Sequence, residues 1–121
     1  METFHALVIL NSLTKTEMLS DYKLLSKKTD GSWLIKKMEL TDENIDNFIE
    51  NIQFNMAENQ GWYAHIYNHD GSKLIIIFKK KVFYTDSQKV NWQDAIKYGV
   101  LIGIPIEQLD FRPNKFEDEK Y

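Results

Sequence analysis

The sequence predicts an α+β domain, in which an antiparallel β-sheet of five or six strands carries two main helices, packed mainly on one face. Asp-Gly pairs at residues 30–31 and 70–71 indicate tight turns between antiparallel strands, because such turns need a positive φ. Residues 41–58 have the apolar spacing of an amphipathic helix. We expect residues 1–113 to form a single α+β domain and residues 114–121 to be a flexible charged C-terminal tail.

The first element is a predicted strand over residues 4–11. Its alternate positions are apolar, and Leu7 and Ile9 make the other face mostly apolar as well. A strand with two apolar faces is typical of the centre of a sheet. Residues 13–21 are polar and irregular, and are expected to form a loop or a short helical turn.

A hairpin is predicted next, with strands over residues 22–29 and 33–40 around the first Asp-Gly pair. The competing interpretation is a helix over residues 17–28, with an apolar stripe formed by Met18, Tyr22 and Leu25.

The clearest helix covers residues 41–58, with Thr41 as the expected N-cap and Gly61 as the stop. Phe54 falls on the opposite side from the apolar stripe and is expected to face outward. The stripe itself recurs at three- and four-residue spacing and consists of Ile45, Phe48, Ile49, Ile52 and Met56.

A β-meander follows, with strands over residues 62–68, 73–78 and 82–85. The continuous apolar run at residues 74–78 predicts a central strand that is covered on both faces. A second helix is expected over residues 92–101, with Asn91 as its N-cap.

Composition limits the classes of function. The chain of 121 residues has no cysteine, so it forms no disulfide or thiolate metal site, and a cytoplasmic location is expected. Its longest apolar runs are too short to cross a membrane. The net charge is −3 and Arg112 is the sole arginine, a composition that disfavours nucleic-acid binding.

Four segments, GWYAHIYN, KLIIIFKKKVF, WQDAIKYG and GIPIEQLDFRP, resemble in order and spacing a family of small prokaryotic proteins without an established activity. The resemblance covers about the C-terminal half of the chain. It implies a compact α+β domain, and it implies no reaction, cofactor or catalytic residue.

Tyr63, His65 and Tyr67 alternate along one predicted strand, so their polar rings share a face. The functional interpretation is a ligand-binding site, which His5 joins if its strand is a neighbour. The simpler interpretation is the half-exposed face of a sheet. We expect no catalytic residue, no cofactor and no metal, because no carboxylate lies at a diagnostic spacing.

Two further patterns bear on partners. Lysines at residues 27–28, 36–37 and 79–81 form an RNA-binding surface only if they converge. The predicted layout also leaves several aromatics without a place in the core, which favours self-association as a two-fold homodimer; these are Trp33, Phe54, Tyr98 and Phe116.

The sequence therefore favours a small cytoplasmic, non-catalytic binding or interaction module that forms a homodimer. The alternative is a small-molecule-binding protein or enzyme that uses the Tyr63, His65 and Tyr67 face. RNA binding through the lysines is the second alternative.

Overall fold

The computed structural model describes residues 2–58, 60–111 and 116. Within these residues the chain forms one six-stranded antiparallel sheet and two α-helices, as predicted. The helices are α1 (Ile45–Asn55) and α2 (Gln93–Leu101). The strands are, in chain order, β1 (Thr3–Ile9), β2 (Lys23–Asp30), β3 (Trp33–Thr41), β4 (Ala64–Asn68), β5 (Leu74–Ile77) and β6 (Val82–Thr85).

The strand order is β2-β3-β1-β4-β5-β6, so the first strand of the chain lies in the middle of the sheet. The prediction of a central first strand is confirmed, and Ala6 and Val8 are completely buried there. The prediction for β5 is correct in part. All four of its residues are buried, but β5 is the second strand from an edge and not a central one.

Helix α1 covers one face of the sheet. Its predicted apolar stripe is buried, while Phe54 is 81% exposed on the opposite side, as expected. The stripe packs on strand residues that face the same way, which defines the first core; its strand members include Phe4, Ala6, Val8, Met38, Leu40, Ile66, Ile75 and Ile77.

Helix α2 covers the opposite face, so the expectation that both helices pack mainly on one face is wrong. The reason lies in β5, where Ile75 and Ile77 face α1 while Leu74 and Ile76 point the other way. An apolar strand of this kind offers a surface to a helix on each side. The second core adds residues from α2 and from the segment that follows it, namely Trp92, Ala95, Ile104, Leu109 and Phe111.

Both Asp-Gly pairs lie at turns between strands, as predicted. Only the glycines have a positive φ, 61° at Gly31 and 76° at Gly71, so the expected positive φ at the aspartates is wrong. The hairpin of β2 and β3 is therefore confirmed over the competing helix. Residues of that competing helix form only a short 3₁₀ turn, Glu17–Asp21, before β2 begins.

The two predicted N-caps are wrong. Thr41 pairs with Thr3, so it extends β3, and α1 begins four residues later at Ile45. Asn91 lies inside a 3₁₀ turn, Lys89–Trp92, and its side-chain amide donates hydrogen bonds to the carboxylate of Asp86. The predicted flexible tail falls outside the described residues, with the exception of Phe116.

Candidate functional site

Strand pairing places the polar rings on the α2 side of the sheet. His65 on β4 lies opposite Leu7 on β1, which lies opposite Lys37 on β3. In the next row, Tyr67 lies opposite His5. Directly opposed residues of antiparallel strands point to the same face. The structure therefore confirms that β1 and β4 are neighbours, which was the condition for His5 to join the site.

The rings form a continuous series along β4 and the residue before it, Tyr63. The ring centroids of Tyr63 and His65 are 6.1 Å apart, and those of His65 and Tyr67 are 5.9 Å apart. Across the strands, Tyr67 meets His5 edge-on at 6.2 Å. These distances allow ring-to-ring contact but leave no room for a ligand between consecutive rings.

A cavity of about 200 Å³ opens beside Tyr63 and His65. It lies where the α2 layer ends, because the second core draws on β4 and β5 but takes only Leu7 from β1. Two exposed residues of opposite charge, Lys28 and Asp30, also line it. The remaining walls are apolar and consist of Leu7, Ile9, Trp33 and Ile35.

A second cavity, of about 120 Å³, adjoins the first and shares Ile9, Trp33 and Tyr63 with it. Trp62 from the first core and Ile104 from the second core both line it. The smaller cavity therefore lies at the seam between the two cores. We call the larger one the His65 cavity and the smaller one the Trp62 cavity.

Tyr63 is a rigid wall of both cavities. Its hydroxyl donates a 2.6 Å hydrogen bond to the main-chain oxygen of Gln108, and its ring meets Phe111 edge-on at 5.0 Å. Burial, assisted by the negative charge of Asp110, raises the pKa of Tyr63 to about 12. The hydroxyl is therefore neutral at any physiological pH.

His65 is also neutral. Burial among Tyr63, Tyr67 and the aliphatic side chains lowers its pKa to about 4, and the charge of Asp110 opposes this shift only in part. At pH 7 the imidazole offers one hydrogen-bond donor and one acceptor. A group with so low a pKa is a weak base at pH 7.

The structure divides the four predicted site residues into two pairs. Tyr63 and His65 line the cavity. His5 and Tyr67 are 8% and 1% exposed and pack against Phe116 instead. Their assignment to a ligand site stays a prediction.

Sequence reasoning missed the aliphatic walls and Trp33. The signal for Ile35 was available, since a correct register of β1 and β3 sets Ile35 opposite Ile9. The contribution of Trp33 depends on the end of the hairpin reaching Trp62, where their ring centroids are 6.1 Å apart. No local pattern encodes that contact.

The lysine groups do not converge. Residues 27–28 and 36–37 lie on β2 and β3 at one edge of the sheet, while residues 79–81 join β5 and β6 at the other edge.

Within the described residues, no three His, Asp or Glu side chains are grouped to hold a metal ion. No helix in the same part of the chain has the length and hydropathy of a membrane span.

No protein-family model, curated protein or solved structure matches this chain at a significant level.

Proposed function

We propose that this chain is a non-catalytic binding module that holds a small, largely apolar molecule in the His65 cavity. The observation that carries the proposal is a neutral imidazole on the wall of a cavity that is otherwise mostly aliphatic and aromatic. An apolar pocket with a few polar groups is the usual form of a small-molecule site.

The size of the cavity limits the ligand. Drug-sized molecules occupy pockets of roughly 300–1,000 Å³, whereas the His65 cavity encloses about 200 Å³. A compact molecule with one ring or two fused rings suits this space. The lining includes the rings of Tyr63 and His65, whose planes are inclined by only 24°, and aromatic walls of this kind favour an aromatic ligand.

Binding is favoured over catalysis for a chemical reason. A general base works best when its pKa is near the working pH, and the pKa of His65 is about 4. The hydroxyl of Tyr63 already donates a hydrogen bond to the main-chain oxygen of Gln108, and with a pKa of about 12 it is too weak an acid to transfer its proton. The site therefore offers contact surface and hydrogen bonds, which are the requirements for recognition.

Titration with indole, followed by ¹H–¹⁵N NMR, tests the proposal. We expect saturable shifts at millimolar indole, centred on the amides of Leu7, Ile35, Tyr63 and His65. Shifts scattered over the surface, or none at all, would refute the proposed site.

A pair of adjacent substitutions sharpens this test. Ile35→Phe adds bulk inside the cavity, whereas Leu34→Phe adds the same ring on the opposite face of β3, where Leu34 is 37% exposed. We expect the first variant to lose indole binding and the second to keep it. Equal loss in both would mean that indole does not occupy the His65 cavity.

Self-association is the second candidate, and Phe54 is its main support. Of the four aromatics that suggested a homodimer, Phe54 is 81% exposed. Tyr98 packs on Phe78 at 4.9 Å, Phe116 packs on His5, and Trp33 packs on Trp62. If a two-fold dimer forms through Phe54, sedimentation should give a dimeric mass for the parent protein. The variant Phe54→Asp should then sediment as a monomer. A monomeric parent protein would remove this candidate.

A cytoplasmic location is part of the proposal and is supported by the cysteine-free composition.

A further inference from the structure

The indole N–H of Trp62 is a buried hydrogen-bond donor. Trp62 is 9% exposed, and its Nε1 has no hydrogen-bond partner among the described residues. Buried indole N–H groups usually find an acceptor, because leaving the donor unpaired costs free energy. Trp92 shows the usual case in this protein, since its Nε1–H donates to the main-chain oxygen of Asp86 at 2.7 Å.

The position of Trp62 links this donor to the proposed ligand site. Trp62 is one of the residues that line the Trp62 cavity, which shares Ile9, Trp33 and Tyr63 with the His65 cavity. The indole of Trp33 packs against the indole of Trp62, with an angle of 62° between the ring planes. The shared walls place the Trp62 cavity next to the space beside His65.

The groups around the two cavities favour an uncharged ligand. Tyr63 and His65 are neutral at pH 7, and among the described residues that line the Trp62 cavity Tyr63 is the sole ionisable one. In the His65 cavity, Lys28 and Asp30 have opposite charges and favour neither sign. Burying an unpaired charge in such surroundings is costly.

We infer that the ligand is an uncharged aromatic molecule whose carbonyl-type oxygen accepts a hydrogen bond from the Nε1–H of Trp62. This inference rests on the proposed function, because the ring of the ligand occupies the His65 cavity. The oxygen enters the Trp62 cavity, whose volume of about 120 Å³ suits a small substituent rather than a second ring system.

Two probes of similar size and shape isolate the hydrogen bond. Indole-3-carbaldehyde carries the carbonyl oxygen, and 3-methylindole carries a methyl group at the same position. We expect the aldehyde to bind about tenfold more tightly, the effect of one hydrogen bond that satisfies a buried donor. In ¹H–¹⁵N spectra the side-chain signal of Trp62 should shift downfield with the aldehyde alone, while that of Trp92, already hydrogen-bonded to Asp86, should not move.

The variant Trp62→Phe gives the matched control. It keeps an aromatic wall and removes the donor, so the ratio of the dissociation constants of the aldehyde and the methyl compound should be near one. The affinity for 3-methylindole should stay within about twofold of the parent value. If this variant does not fold, the Trp62 side-chain signal of the parent protein decides the question.

The outcomes separate the two claims. If both probes shift Ile35 and His65 equally and Trp62 does not respond, the inference fails and the proposed function stands. If neither probe binds, both fail. Tyr98 and Lys80 line a different cavity that Trp62 also lines. If Trp62 responds together with these two residues, the donor does not serve the proposed ligand and the inference is refuted.

Discussion

The imidazole of His5 lies flat on the ring of Phe116, with centroids 3.5 Å apart and planes only 4° from parallel. Phe116 also meets Tyr67 edge-on, and its N–H donates to the main-chain oxygen of His69 at 2.9 Å. A residue more than one hundred positions along the chain therefore covers the start of β1. This contact contributes to the burial of His5 and Tyr67, neither of which lines the cavity beside Tyr63 and His65.

Replacing Phe116 with alanine should lower the free energy of unfolding by about 1–2 kcal/mol. The loss is smaller than for a fully buried phenylalanine because the Phe116 ring is only partly buried. Urea denaturation measures it. Phe54→Ala is the matched control, since Phe54 is 81% exposed and should change stability by less than about 0.5 kcal/mol. Equal effects of the two substitutions would contradict the observed packing of Phe116.

Replacing Phe48 with alanine should lower the free energy of unfolding by about 3–5 kcal/mol. Phe48 is completely buried on the side of α1 that faces the sheet, and its ring meets Tyr22 edge-on at 5.0 Å. A domain of this size has a total stability of roughly 5–15 kcal/mol, so the variant should unfold at a much lower urea concentration. A loss below about 1 kcal/mol would show that α1 does not pack on the sheet as described.

Stability should fall as the pH drops from about 6.5 to about 4. An unfolded histidine has a pKa of about 6.5, and the folded pKa of His65 is about 4. Between these values the unfolded chain binds a proton that the folded chain does not, so His65 lowers the free energy of unfolding by up to about 1.4 kcal/mol per pH unit. The cost is absent above pH 6.5 and complete below pH 4.

Substituting His65 tests this assignment. The variant His65→Phe keeps a ring and removes the titrating group. Between pH 6.5 and about 4 its free energy of unfolding should therefore fall less steeply than that of the parent, by the slope that one bound proton contributes. Tyr63→Phe is the control: the pKa of Tyr63 is about 12, far above this range, so the pH dependence should match that of the parent protein. Parallel curves for His65→Phe and the parent would show that His65 has the same pKa in the folded and unfolded states.

The variant Gly61→Ala should be destabilised by about 1–3 kcal/mol. Its φ is not positive, so alanine would ordinarily stabilise this position slightly by restricting the unfolded chain. Here a Cβ would lie 2.7 Å from Cγ1 of Ile104 and 2.9 Å from the main-chain oxygen of Ile102. The oxygen cannot rotate away, so the close approach decides the sign. A stabilised variant would show that the segment after α2 does not pack tightly against this glycine.

The local features of the fold were predictable from the sequence. Two Asp-Gly pairs locate two hairpins, and the apolar stripe that contains Phe48 identifies the buried side of α1. The start of α1 was misplaced because Thr41 is a good N-cap by type, and only the long-range pairing with Thr3 shows that it belongs to a strand. Competition between a local cap and a distant strand is not visible in a single segment.

The arrangement of layers and the cavity were harder to predict. The spacing in α2 shows which side of the helix is apolar, but not which face of the sheet it covers, since β5 is apolar on both faces. The His65 cavity depends on where the α2 layer stops and on the position of Trp33 relative to Trp62. These are relationships between distant segments, so the pattern of Tyr63 and His65 predicted a shared face but could not predict a concavity.

The position of β1 between β3 and β4 has a consequence for synthesis on the ribosome. When residues 2–55 have emerged, β1 can pair with β3, yet its other edge has no partner until β4 is made. An unpaired strand edge is a template for association with other chains. A pause or truncation between α1 and β4 should therefore yield an aggregation-prone half-sheet, and the arrival of Ile66 opposite Ala6 closes that edge.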